Sequence, residues 1–146
     1  MTSDAAERDG SAPATNPDAL FERFGGEVFF EDFAREFYVG VQEEPLLRAM
    51  YPEDDLAPAQ RRFQLFLQQY WGGPTTYSDE RGHPRLRMRH SPFAIDSAAR
   101  DRWLACAKRA LDSAANAHRV DEADAALMWQ YLVSAANAMI NTFDEF

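Results

Sequence analysis

The apolar positions of the chain recur at intervals of three and four residues, which is the period of a helix and not of a strand. The pattern is clearest in one segment, which carries large apolar side chains at Phe29, Phe30, Phe33, Phe37, Tyr38 and Val41. No segment shows sustained alternation with a period of two between turn residues. The sequence therefore predicts an all-α fold.

Turn and cap residues divide this pattern into helices of unequal length. Prolines and side chains that cap helices mark the predicted starts at Asn16-Pro17-Asp18, Pro45, Pro58, Asp96 and Asp121. Paired glycines mark predicted ends at Gly25-Gly26 and Gly72-Gly73-Pro74. The last helix is expected to carry apolar residues as far as Phe143. Residues 75–84 are predicted to form a loop, and Arg85 to His90 a helix of barely two turns.

The chain has 146 residues, which is enough for one domain with its own core. Residues 1–15 contain no large apolar side chain after Met1 and are predicted to form a disordered tail. The folded domain is then expected to span residues 16–146. No apolar run has the length of a membrane span and no signal peptide is recognisable, so we expect a cytoplasmic protein.

Charge and cysteine content exclude several classes of function. The 24 acidic and 15 basic residues give a net charge of −9, which argues against nucleic acid as a partner and against anionic membrane surfaces. The single cysteine, Cys106, excludes an intramolecular disulfide and any multi-cysteine metal site, and we expect it to be a small buried apolar residue. Phosphate-binding, dinucleotide-binding and serine-nucleophile motifs are absent from the sequence.

The stretch from Arg81 to His90 holds four arginines and no acidic residue. An island of positive charge in an acidic protein suggests an anionic partner, although a solvated arginine surface is the simpler explanation of the charge alone. The stretch ends in one of only three histidines of the chain. Neutral imidazole is a good ligand for haem iron, and arginine and tyrosine side chains suit the two carboxylates of haem. A structural role is the alternative for His90. His118 lies in a predicted helix–helix turn and is expected to be exposed.

Three longer motifs resemble the truncated haemoglobins of group II. They are Tyr-Pro-Glu-Asp-Asp-Leu (51–56), Gln-Tyr-Trp-Gly-Gly-Pro (69–74) and the run from Thr-Tyr-Ser to Arg-His-x-Pro-Phe (76–93). The similarity extends from about Leu20 to Phe143. The resemblance implies a truncated globin: a two-over-two helical sandwich around a b-type haem.

The same resemblance implies roles for individual residues. His90 matches the proximal ligand of the haem iron, while Tyr38, Tyr51 and Trp103 match side chains on the opposite, distal face. The two tyrosines are expected to approach one another there. Residues expected to contact the haem carboxylates or the rim of the site are Arg62, Tyr77, His83, Arg87 and Arg89. Apolar walls are expected from Phe66, Leu67, Leu86, Phe93 and Ile95.

Phe63 departs from the pattern of the relatives, which often have Leu or Gln at its position. The larger ring is expected to narrow the distal cavity. No histidine precedes residue 83, so the polar distal groups available are tyrosine hydroxyls and an indole N–H. Trp103 is the donor that we expect to matter most.

The resemblance implies the binding and transport of dioxygen at haem iron, with carbon monoxide, nitric oxide and cyanide as further ligands. A haem enzyme is the alternative hypothesis, for nitric oxide dioxygenation or peroxide turnover. Either reaction would need a separate, unidentified reductase, because the sequence shows no flavin or nicotinamide domain. A helical interaction module without haem is a third hypothesis, and self-association as a homodimer is left open.

Overall fold

The computed structural model describes residues 17–83 and 95–140, which form seven helices and no strand. The helices are α1 (Pro17–Phe24), α2 (Gly26–Glu43), α3 (Pro45–Arg48), α4 (Ala57–Tyr70), α5 (Thr76–Arg81), α6 (Ser97–Ala117) and α7 (Glu122–Ala138). The prediction of an all-α fold is confirmed. The predicted tail at residues 1–15 and all but the first residues of the arginine-rich stretch lie outside the described residues.

The four long helices form two pairs. Helix α2 packs against α4, α6 packs against α7, and α2 crosses α6. The short helices attach to this frame: α1 contacts α2 and α7, α3 contacts α2 and α6, and α5 contacts α4. The arrangement is the two-over-two sandwich expected from the resemblance. Within residues 17–83 and 95–140, no helix is both long and apolar enough to cross a membrane.

The core between the helices is largely aromatic. Helix α2 buries one face, formed by Phe29, Phe30, Phe33, Ala34, Phe37, Tyr38 and Val41. The ring of Phe24 meets the edge of Trp71 with the centroids 5.3 Å apart, which ties α1 to the end of α4. Rings packed edge to face bury large areas and fix orientation, so this core holds the helices at defined angles.

A glycine allows the close crossing of α2 and α6. A Cβ atom placed on Gly40 would lie 2.9 Å from the Sγ atom of Cys106, which is too close for two non-bonded atoms. Cys106 is buried, as predicted, and burial raises the pKa of its thiol. The crossing therefore needs a small residue on each helix, and it sets the spacing of the side chains on either side of it.

The prediction of a loop over residues 75–84 is wrong, because α5 occupies Thr76–Arg81. Its first turn is held from α4: the Gln69 side chain accepts a hydrogen bond from the Ser78 amide at 2.9 Å and donates one to Ser78 Oγ at 2.6 Å. Arg61 and Glu80 then form two hydrogen bonds of 2.8 Å between the same helices. These contacts are tertiary, so the local pattern does not contain them.

The expectation that His118 is exposed is also wrong. Its side chain is 19% exposed, and Nε2 lies 2.7 Å from Oδ2 of Asp32 on α2. The ring also packs against the edge of Phe29, with centroids 5.8 Å apart. His118 does lie in the turn between α6 and α7, but this turn folds back onto α2 and covers the ring.

The last helix ends earlier than predicted. Helix α7 ends at Ala138, and the amide of its C-cap Met139 donates to carbonyls of the last turn. Met139 and Ile140 remain half-buried beyond the helix, so apolar residues continue where the helix does not. The predicted end at Phe143 lies outside the described residues.

An ion pair joins the first described helix to the last. Arg23 on α1 donates through Nε to Oδ2 of Asp124 on α7 at 2.9 Å, and through Nη2 to Oδ1. The Asp124 side chain is buried, whereas Arg23 is half-exposed. The hydrogen bonds from Arg23 lower the pKa of Asp124 below its usual value of 3.8. The pair therefore stabilises the docking of α1 on α7 when the carboxylate is ionised.

We expect Asp124→Asn to lower the midpoint of thermal unfolding at neutral pH, because the charged acceptor of Arg23 is lost. The wild type should lose this contribution in acid. A carboxylate with a lowered pKa in the folded state contributes fully above its unfolded-state pKa and loses that contribution as the pH falls through the folded-state value. The gap between variant and wild type should therefore shrink below the usual aspartate pKa of 3.8.

Asp112→Asn is the matched control, because Asp112 pairs with Lys108 on the exposed side of one helix. Such exposed pairs contribute about 0–1 kcal/mol, so the control should stay close to the wild type at neutral pH. Midpoints measured by circular dichroism along a descending pH series test both variants. A gap that stays constant into acid would show that Asp124 is not the titrating group.

Candidate functional site

A cavity of about 370 Å³ lies between the helix pairs, within the usual size range of sites for small molecules and cofactors. Helices α2, α4, α6 and α7 all contribute to its wall, as do α5 and the segment after α3. The lining side chains are mostly apolar and aromatic. The polar side chains among them are Tyr38, Tyr51, Glu53, Arg62, Tyr77, Arg81, Arg100, Trp103 and Tyr131.

Two tyrosines face one another in this cavity. The hydroxyl oxygens of Tyr38 and Tyr51 lie 3.3 Å apart, with ring centroids separated by 5.6 Å. The expected approach of the two phenols is confirmed. Tyr38 comes from the buried face of α2, and Tyr51 follows the short helix α3.

Burial is the largest influence on the acidity of both phenols. It raises the pKa of Tyr38 well above 10.0 and raises the pKa of Tyr51. Glu53 raises both pKa values further through its charge, whereas Arg62 lowers both. Both hydroxyls therefore keep their protons at neutral pH and can donate hydrogen bonds.

Trp103 lies on the part of α6 that faces the tyrosines. The helix begins as predicted at Asp96, whose Oδ1 atom accepts a hydrogen bond from the Ala99 amide at 2.9 Å. The Trp103 ring packs against Phe37 with centroids 5.1 Å apart. Nowhere in the described part of the chain does a group accept a hydrogen bond from its indole N–H. The side chain thus brings an uncommitted donor to the cavity wall.

Phe63 lies at the centre of the aromatic side chains on this wall. Its ring centroid is 4.9 Å from that of Phe37, 6.1 Å from that of Tyr38 and 6.0 Å from that of Trp103. Ala59, one turn earlier on α4, also lines the cavity and leaves space beside this ring. That Phe63 narrows ligand access stays a prediction.

Cationic side chains accompany the apolar wall. Arg62 lines the cavity, and its Nη2 atom lies 3.4 Å from Oε2 of Glu53. The guanidinium of Arg81 lies 5.8 Å from the centroid of the buried Tyr77 ring. Arg100 completes the set and donates to the Asn137 side chain at 2.8 Å.

Some predicted site residues lie at this cavity and others do not. Those that line it, besides the three distal side chains, are Arg62, Phe63, Phe66, Leu67, Tyr77 and Ile95. His83 is described and exposed, but it does not line the cavity. His90, Leu86, Arg87, Arg89 and Phe93 lie outside the described residues. The roles of all these residues stay predictions.

Several residues that line the cavity were not predicted from the sequence. Glu53 and Arg100 were not predicted because charged side chains in a loop or on a helix usually mark the surface. The spacing did contain a signal for Arg100, since it precedes Trp103 by three residues and so shares its helix face. Tyr131 and Met139 also line the cavity, and the sequence predicted for them only the apolar pattern of the last helix.

The cavity has the chemistry that haem requires. Haem is a broad apolar ring with two carboxylates, and the cavity combines an apolar wall with three arginines. No group of three histidine, cysteine or acidic side chains that could hold a bare metal ion occurs among the described residues. The apolar wall and the three arginines are therefore the features of the cavity that fit an apolar ring with two carboxylates.

Comparison with known proteins then identifies the family. A model of bacterial-like globins matches residues 19–138. The chain belongs to the bacterial-like globins.

This globin is similar to several truncated haemoglobins and solved globin structures. It is 44% identical over 87 residues to the group 2 truncated haemoglobin YjbI of Bacillus subtilis strain 168, a match that covers 60% of this chain and 65% of the relative, slightly less than two thirds. The structure of a thermostable haemoglobin from Thermobifida fusca is 52% identical, covering 84% of this chain and 96% of that one, with a TM-score of 0.80. A truncated oxygen-avid haemoglobin from Bacillus subtilis is 35% identical, covering 84% and 98%, with a TM-score of 0.76.

These matches confirm the resemblance to truncated haemoglobins of group II and the globin fold. Haemoglobins bind haem iron, so the prediction of haem as the cofactor is confirmed for the family. The apolar and cationic lining of the cavity described above is compatible with that cofactor.

We expect Tyr38 to stay protonated in the folded globin well above pH 10, because burial disfavours its charged form. The tyrosinate absorbance of the wild type and of Tyr38→Phe, recorded along a rising pH series, gives the ionisation of this phenol by difference. Tyr51→Phe gives the second phenol in the same way, and circular dichroism defines the pH range in which each protein stays folded. Ionisation of Tyr38 at its ordinary pH in folded protein would contradict the expectation.

Proposed function

We propose that this globin holds haem in the cavity and binds diatomic ligands there, chiefly dioxygen. The haem iron supplies the atom to which such a ligand binds. The protein's own side chains bind the cofactor, exclude water and stabilise the ligand.

One observation carries the proposal: the number of donors left free at the distal wall. Tyr38 and Tyr51 have two hydroxyl protons between them, and their contact at 3.3 Å uses only one. The other hydroxyl proton and the Trp103 N–H have no acceptor among the described residues. Two uncommitted donors therefore lie on the aromatic part of the cavity wall.

Such an arrangement favours dioxygen over carbon monoxide. A dioxygen ligand carries partial negative charge on its outer atom and is a better acceptor than carbon monoxide. A hydrogen bond in a dry site contributes about 1 kcal/mol to a neutral acceptor and up to about 3 kcal/mol to a charged one. Each kilocalorie corresponds to a roughly fivefold slower release. The oxygen-avid relative from Bacillus subtilis supports the same conclusion.

The proposal also assigns the residues that hold the cofactor. We assign the iron to His90 by its position in the family motif. His83 is exposed and His118 is engaged with Asp32, which supports His90 for this role over either of them. Arg62 and Tyr77 are assigned to the haem carboxylates. The enzymatic alternatives would use the same cavity, and no feature of the described residues favours them over ligand binding.

The variant Trp103→Phe keeps an aromatic ring in the cavity wall and removes the indole N–H. Dioxygen should dissociate at least about tenfold faster, corresponding to roughly 1.4 kcal/mol, and carbon monoxide should change less. Stopped-flow displacement kinetics measure both rates. Trp129→Phe is the matched control, because Trp129 packs beside Lys108 and does not line the cavity. Rates for Trp103→Phe within twofold of the wild type would reduce Trp103 to a packing residue.

The variant His90→Ala tests the assignment of the iron ligand. The variant should lose stoichiometric haem or need added imidazole to regain its Soret spectrum, because the ring nitrogen that holds the iron is removed. His83→Ala is the control, since it removes the exposed histidine and should leave haem content and spectrum unchanged. The reverse result would move the iron ligand from His90 to His83. A purified wild type without a Soret band would contradict the proposed function itself.

A further inference from the structure

The segment that carries Tyr51 has little regular structure of its own. No helix covers residues 49–56, which connect α3 to α4. The Tyr51 amide donates to the Arg48 carbonyl at 3.1 Å, and the next backbone bond toward α4 joins the amide of Gln60 to the carbonyl of Leu56. The position of the Tyr51 backbone must therefore depend on side chains.

One guanidinium binds three carbonyls of this segment. Arg48, the last residue of α3, donates through Nη1 to the Tyr51 carbonyl at 3.1 Å. Its Nη2 atom donates to the carbonyls of Glu53 and Asp54, both at 2.8 Å. The described residues offer Arg48 no carboxylate partner, so its hydrogen bonds serve the backbone alone. The planar, always charged guanidinium suits several acceptors at fixed angles, which a lysine or an amide cannot match.

The contact between the Tyr38 and Tyr51 hydroxyls depends on this segment and tolerates little change in distance. The hydroxyl oxygens of Tyr38 and Tyr51 are 3.3 Å apart, beyond the usual 2.5–3.0 Å of a hydroxyl–hydroxyl hydrogen bond. A shift of the Tyr51 backbone by a few tenths of an ångström would lose the bond or change which phenol donates. Tyr38 cannot follow such a shift, because it is packed in α2 against the rings of Phe37 and Phe63.

We propose that Arg48 is a positioning residue for the distal donors: by binding three carbonyls of the connection between α3 and α4, it sets the distance between the Tyr51 and Tyr38 hydroxyls. It touches neither cavity nor ligand, since it does not line the cavity. The inference rests on the proposed function, because the alignment of the two phenols affects binding only if a ligand occupies the cavity.

A double-mutant cycle tests this inference in the haem-loaded protein. The four proteins are the wild type, Arg48→Gln, Tyr51→Phe and the double variant, each measured for release of dioxygen and of carbon monoxide. Arg48→Gln alone should release dioxygen roughly three- to tenfold faster and carbon monoxide less than twofold faster. In the Tyr51→Phe background the same substitution should change dioxygen release less than twofold.

Arg35→Gln is the matched control, because Arg35 is an exposed arginine that pairs with Asp32 on the same helix at 2.8 Å and does not line the cavity. Its dioxygen release should equal that of the wild type. Equal factors for Arg48→Gln in both tyrosine backgrounds would overturn the inference, since the effect would not pass through Tyr51. An unchanged dioxygen release rate for Arg48→Gln alone, in the protein that keeps Tyr51, would also overturn it. If Arg48→Gln does not fold, Arg48→Lys, which keeps the charge but not the fork, enters the same cycle.

Hydrogen exchange provides a readout that needs no ligand. Peptides that cover residues 49–56 should exchange faster in Arg48→Gln than in the wild type, while peptides from α6 and α7 should keep their protection. Equal exchange in residues 49–56 would overturn the inference even if the globin binds dioxygen. A wild type that binds haem without binding dioxygen would instead refute the proposed function, and the exchange result would still decide whether Arg48 orders this segment.

Discussion

The structure depends on the close crossing of α2 over α6. At Gly40 a side chain of one carbon would already come within 2.9 Å of the thiol of Cys106, so the α2 backbone packs directly against the Cys106 side chain of α6. The crossing determines where the next turns lie. It brings the ring centroid of Phe37 on α2 to 5.1 Å from that of Trp103 on α6. A wider crossing would separate the donors of the two helices and open the aromatic wall between them to water.

Burial of the two tyrosines in the aromatic wall has an electrostatic consequence. Burial raises the pKa of Tyr38 and of Tyr51, so both remain neutral donors where an ionised phenolate would repel an electron-rich ligand. Glu53 and Arg62 act on both phenols with opposite sign. Because these two charges are paired with each other, their effects on the phenols partly offset, and burial remains the dominant influence.

The sequence predicted those elements whose cause is local. The spacing of apolar residues predicted the buried face of α2, and Asp96 predicted the start of α6 through a cap that the structure contains. Errors arose where the cause is tertiary: α5 is held by the Gln69 side chain of α4, and His118 is covered because its turn meets Asp32. At the site, the roles of Trp103, Tyr38 and Tyr51 were predicted only from the family resemblance. Glu53 and Arg100 escaped prediction because their positions look like surface positions.

The three distal donors differ in how firmly the fold holds them. Trp103 belongs to a 21-residue helix and Tyr38 to an 18-residue helix, and both rings touch Phe37 and Phe63. Tyr51 follows a helix of only four residues, and its backbone is held largely by the Arg48 side chain. Displacing a donor costs more when the helix and core must move with it, so Trp103 and Tyr38 have nearly fixed positions. Tyr51 can move at lower cost. A change in the α3–α4 connection can therefore retune ligand binding without disturbing the α2–α6 crossing, whereas a change at the crossing alters all three donors together.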